Sequence, residues 1–108
     1  MLQHYVLDDR FDPVPCPDLL VWARWFETAN RVLAKDQDEG RDGTHIEVST
    51  VFLGLDHNFS GTGPPVLWET LVFGGPLDGE GGRYTTKAAA LQGHQAYCAK
   101  VRAAIGGR

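Results

Sequence analysis

Asp56-His57-Asn58 sets a carboxylate, an imidazole and an amide side by side at the end of an apolar run. Histidine exchanges protons near neutral pH, and a neighbouring carboxylate or amide fixes which ring nitrogen carries the proton. Glu69 interrupts the apolar stretch Val66–Phe73. A carboxylate in such a setting needs a partner, and burial is one way in which acid–base groups are tuned. His94 falls on an apolar stripe directly after Gly93, where glycine costs a helix about 1 kcal/mol relative to alanine and suggests close approach of a backbone or ligand. Arg83 can hold phosphate or carboxylate, and Tyr84 can stack on a base or donate a hydrogen bond. Each position also admits a structural reading. Asp56 and Asn58 are turn-forming types, Glu69 fits a wet sheet face opposite Ser49 or Thr50, and His94 fits a satisfied core histidine. Arg83 fits a surface salt bridge and Tyr84 the core.

Other chemistries lack their signatures. The stretch Gly74–Gly82 is glycine-rich but acidic, with neither the lysine nor the spacing of a phosphate loop, and no helix follows it directly. Ser49 and Ser60 have no nucleophile-elbow context. His57, Glu69 and His94 show no short ligand spacing, so neither a metal nor another cofactor is expected. The net charge of −4 and the absence of a basic stripe argue against a long nucleic-acid partner. Cys16 and Cys98 fit no disulfide framework and are expected unbridged. The first residues are too polar for a signal peptide, and no apolar run reaches membrane-spanning length, so a cytoplasmic protein is expected.

The elements that must position these groups follow from periodicity. Gln3–Leu7 reads as a short strand, and the proline-bearing stretch Arg10–Pro17 as an irregular connection. Asp18 is placed to cap a helix whose apolar residues (Leu19, Trp22, Ala23, Phe26, Ala29, Val32 and Leu33) recur at three and four, predicting helix from Leu19 to about Lys35. Asp36–Gly43 reads as a solvated loop. His45–Leu55 and Pro65–Phe73 read as strands joined by a link longer than a tight hairpin needs. Arg83-Tyr84-Thr85 reads as a third pairing strand, and Thr86 caps a last helix from Lys87 to about Ile105. The predicted fold is one α+β domain over residues 1–108, order β-α-β-β-β-α, with two helices on one face of a small, mostly antiparallel sheet.

The string Val48–Phe59 (VSTVFLGLDHNF), with Pro65–Gly75, Arg83-Tyr84-Thr85-Thr86, Ala90–His94 and Trp22–Glu27, resembles a widespread family of small tailed-phage and prophage accessory proteins. The resemblance covers most of the chain and implies an anti-defence role. Its matching polar positions are Asp56, His57, Asn58, Glu69, Thr70, Arg83, Tyr84 and His94. The resulting expectation is hydrolysis of a small nucleotide or cyclic-nucleotide immune signal by metal-independent acid–base chemistry. His57 and His94 would divide the acid and base roles, Glu69 would tune one of them, and Asp56, Asn58, Thr70, Arg83 and Tyr84 would hold the ligand. A nucleotide-sequestering protein and a protein-binding inhibitor stand as alternatives. Surplus aromatics (Trp22, Trp25, Phe26, Phe52, Trp68 and Phe73) predict a homo-oligomer, most simply a dimer. The site itself requires His57, Glu69 and His94 to converge on one cavity.

Overall fold

In a computed structural model that describes residues 3–106, the chain runs β1 (Tyr5–Leu7), β2 (Pro13–Pro15), α1 (Leu19–Thr28), β3 (Val32–Glu39), β4 (His45–Phe52), β5 (Trp68–Phe73), β6 (Gly81–Tyr84) and α2 (Lys87–Ala104). All pairings are antiparallel: β1 with β2, and β3-β4-β5-β6 in sequence order as a four-stranded sheet. This is the expected α+β architecture, with two strands more than predicted.

The register explains why α2 lies where it does. Cross-strand partners share a face, so Phe52 and Trp68, Thr50 and Thr70, and Val48 and Val72 stack as three successive rungs on one side. On α2 the buried residues Ala90, His94, Cys98 and Val101 recur at helical spacing. Two rungs are apolar and carry the core. Ile46, Val48, Val72, Cys98 and Val101 cluster at one end, and Phe52, Leu67, Trp68 and Ala90 at the other. Fully burying side chains of this size contributes about 1.5–3 kcal/mol each. Between the two clusters lies a polar layer of Thr50, Thr70 and His94.

The second cluster is completed from the N-terminal third, where Tyr5, Leu7, Phe11 and Trp25 pack against it. Asp18 caps α1 by accepting from the Leu20 and Val21 N–H groups, as its position predicts. Trp22 donates its indole N–H to the carbonyls of Tyr5 and Gly54 at 3.0 and 3.1 Å. Trp25 meets Phe52 edge-on at 6.0 Å. Gly54 has φ +78°, and a Cβ there would run into the Phe26 ring, so the close seat of α1 needs glycine.

Three expectations are corrected. The first helix ends at Thr28, and the Val32–Lys35 segment assigned to it begins β3. Asn30 closes that turn by accepting from the Val32 N–H, and the β-branched Val32 then enters the sheet opposite Val51. The charged segment from Asp36, read as loop, is the rest of β3 as far as Glu39, with Asp36 and Asp38 on the α2 side and Lys35, Gln37 and Glu39 on the other. Pro13-Val14-Pro15, read as irregular, pairs with β1. Proline is compatible with an edge strand because the missing N–H faces away from the partner.

Candidate functional site

The polar layer is a continuous hydrogen-bonded chain. Thr70 Oγ1 lies 2.5 Å from Thr50 Oγ1, Thr50 Oγ1 lies 2.7 Å from His94 Nδ1, and His94 Nε2 lies 2.7 Å from Asp36 Oδ1. Both threonines are wholly buried and His94 is 4% exposed, whereas the Asp36 side chain is 48% exposed. The polarity follows from donor chemistry. The carboxylate only accepts, so Nε2 carries the proton; in neutral imidazole Nδ1 then accepts from Thr50, and Thr50 accepts from Thr70. Every member is satisfied, as a buried polar group requires.

The water-facing end opens on a cleft of about 350 Å³ between β3 and α2, walled by Ala34, Leu91, Gln95, Cys98 and Arg102 as well as Asp36 and His94. The Cys98 thiol is pushed above its ordinary value, first by burial and then by the Asp36 carboxylate beside it. Arg102 reaches Asp38 at only 3.9 Å and is half exposed, so its guanidinium is available to the cleft. A fixed carboxylate, an imidazole that orients it and a nearby guanidinium can bind an anion-bearing ligand and move a proton on it. The donor set Asp36, His94 and Cys98 is also one that metals use.

The residues singled out from sequence do not share this site. Glu69 is one residue from Thr70 and therefore on the opposite face, where it pairs with Val51 and Arg83 and accepts from Arg83 Nε at 3.0 Å. The expected convergence of His57, Glu69 and His94 is overturned by that alternation. His57 lies beyond the end of β4; its Nδ1 donates to the Leu55 carbonyl at 2.8 Å, its N–H donates to Val66, and its ring meets Phe59. None of these groups belongs to the polar chain. Asp56 accepts from the Asn58 and Val66 N–H groups at 2.7 and 2.9 Å. Asn58 ties down its loop through Thr62, Pro64 and Ser60. Both side chains hold the turn, which is the structural reading.

Thr70 is an interior link of the chain and has no exposed surface to offer a ligand. Tyr84 packs into the second apolar cluster, and its ring lies against α2 where a Cβ at Gly93 would stand. That ring is the close approach that Gly93 accommodates. Asp36, Cys98 and Arg102 were missed. The i, i+4 spacing of His94 and Cys98 is legible on one helix face, but reading Asp36–Gly43 as loop hides Asp36 as their partner.

Comparison with known protein families, with curated proteins and with solved structures finds no match to this chain. No helix among the described residues is long and apolar enough to cross a membrane.

Proposed function

We propose that this chain is a small hydrolase acting by acid–base chemistry on a phosphate-bearing nucleotide in the cleft between β3 and α2. The observation that carries the reading is the asymmetry of the polar chain: three buried members, and a single exposed end at Asp36 that faces a cavity. Asp36 is the base that takes a proton from water as the water oxygen bonds to phosphorus. The ester P–O bond breaks, and the proton held by Asp36 passes to the departing oxygen, while the His94 Nε2–H holds the carboxylate in one orientation. Thr50 and Thr70 fix the imidazole from behind. Arg102 meets the phosphate charge, and Ala34 and Leu91 offer apolar walls. The family resemblance supports a phage accessory protein acting on a nucleotide immune signal in the host cytoplasm.

Purified protein is incubated with a panel of cyclic and ADP-ribose-derived nucleotides, followed by mass-resolved chromatography. The reading expects product from the wild type and a loss of at least about 100-fold in rate for Asp36→Asn, the usual worth of a positioned base. Intact nucleotide retained by the protein and released on heating would replace hydrolysis with sequestration.

A second reading, a protein-binding inhibitor or homodimer, is favoured by α1. Leu19, Leu20 and Val21 are 56%, 73% and 55% exposed, and no α1 residue is fully buried. Neither retention nor turnover of any nucleotide, together with a dimer mass by light scattering that Leu20→Lys abolishes, would put it first.

A further inference from the structure

We propose that Asp36, His94 and Cys98 form a binding site for a zinc-class divalent metal, with one coordination position left open to the cleft. The ligating atoms of these three side chains already lie within 4.8 Å of one another. Tetrahedral zinc holds nitrogen and oxygen at about 2.0–2.2 Å and thiolate at about 2.3 Å, which sets neighbouring ligand atoms about 3.3–3.8 Å apart. The 2.7 Å gap between His94 Nε2 and Asp36 Oδ1 therefore opens by less than about 1 Å as the ion takes the place of the shared proton.

The ligand set selects the metal. One thiolate, one imidazole and one carboxylate suit zinc, whereas calcium and magnesium prefer oxygen alone. His94 and Cys98 stand four residues apart on a single face of α2, both nearly sealed from solvent, and Asp36 meets them from β3. Three protein ligands and a cleft on the fourth side make the open arrangement of a reactive rather than a structural zinc.

The surroundings meet a further requirement. A metal-bound histidine donates its other ring N–H to a fixed acceptor, and His94 Nδ1 already faces Thr50 Oγ1 at 2.7 Å. On binding, one proton leaves the molecule, from the Cys98 thiol. The His94 proton is relocated from Nε2 to Nδ1, and the two hydroxyls rotate so that Nδ1–H donates to Thr50 and Thr50 donates to Thr70. Both contacts of the chain persist in either direction; in the second, Thr70 accepts from Thr50 and no longer donates within the chain. Metal and shared proton compete for the same nitrogen, and the loaded and unloaded clefts are alternative states of one site. The inference does not rest on the hydrolase reading.

Cobalt(II) is the probe, titrated without oxygen into the full chain after chelator treatment. The expected result is the visible spectrum of a tetrahedral centre with a near-ultraviolet thiolate-to-cobalt band, saturating at one ion per chain. Cys98→Ser removes the thiolate band, Cys16→Ser keeps it, and Asp36→Asn weakens binding by tenfold or more while leaving the circular dichroism unchanged. A missing thiolate band in the wild type, or a band that survives Cys98→Ser, overturns the site. So does Asp36→Asn binding as tightly as the wild type, an arm that needs only a half-exposed residue to be changed. Nucleotide turnover plays no part in this readout, so the metal site and the hydrolase reading fail separately.

Discussion

Thr50→Val removes one hydroxyl from the middle of a buried chain while keeping the shape of the side chain. Thr50 is bonded on both sides, to Thr70 at 2.5 Å and to His94 at 2.7 Å. The substitution therefore orphans two groups at once, the Thr70 hydroxyl and His94 Nδ1, each at a cost of about 1–3 kcal/mol. The predicted loss is about 2–6 kcal/mol, a large part of the stability of a domain this size. Thr70→Val, at the inner end, leaves only one unfilled lone pair on Thr50 and costs about 1 kcal/mol. The double variant strands His94 Nδ1 alone. It is therefore predicted to be more stable than Thr50→Val, so that the second substitution stabilises in the background of the first. Urea unfolding of the four proteins closes the cycle, and thermal melts follow at about 4 °C per kcal/mol. Additive costs, with the double variant the least stable of all, would refute the chain.

Gly93→Ala should lower the melting temperature although alanine is the better helix former by about 1 kcal/mol, because its Cβ meets the Tyr84 ring; the loss should shrink in a Tyr84→Leu background. Cys98 has its folded value raised above the ordinary 9.0, so its contribution to stability is complete below that pH and is lost as pH rises through the folded value. Cys98→Ala should accordingly flatten the alkaline limb of the stability profile, as measured by urea unfolding across pH. Glu69→Ala removes a partly exposed ion pair and should cost under about 1 kcal/mol. With His57→Ala, it should leave nucleotide turnover within a few fold of the wild type; a 100-fold loss from either would return the site to the sheet's open face or to the loop after β4.

How far the sequence could be read depends on which signal each element used. The last helix was legible almost to the residue, because Thr86 caps it and Ala90, His94, Cys98 and Val101 keep helical spacing. β4 was legible because Ile46, Val48, Thr50 and Phe52 alternate with more exposed neighbours. β3 was not, for two physical reasons. Val32 and Leu33 continue the three-and-four spacing of α1, so periodicity runs past the point where the chain turns. The following Lys35-Asp36-Gln37-Asp38-Glu39 has poor strand propensity, although charge suits an edge strand. Losing β3 meant losing Asp36. His94 stands out as a polar residue on its stripe, and its partners in the structure are Thr50 and Asp36, not His57 and Glu69. Strand parity alone would have separated Glu69 from Thr70, and the turn chemistry of Asp56 and Asn58 was the better reading of their loop.

The hydrolase reading depends on His94 being held between Thr50 and Asp36, and the imidazole itself reports this. Long-range ¹H–¹⁵N correlation at the histidine side chains, in metal-free protein at neutral pH, distinguishes a protonated from an unprotonated ring nitrogen. The predicted spectrum shows His94 with its proton on Nε2 and an unprotonated, hydrogen-bonded Nδ1, the pattern changing in Asp36→Asn while the resonances of His57 stay in place. A His94 ring carrying its proton on Nδ1, or one whose spectrum is indifferent to Asp36→Asn, would contradict the chain from Thr70 to Asp36 and the site built on it.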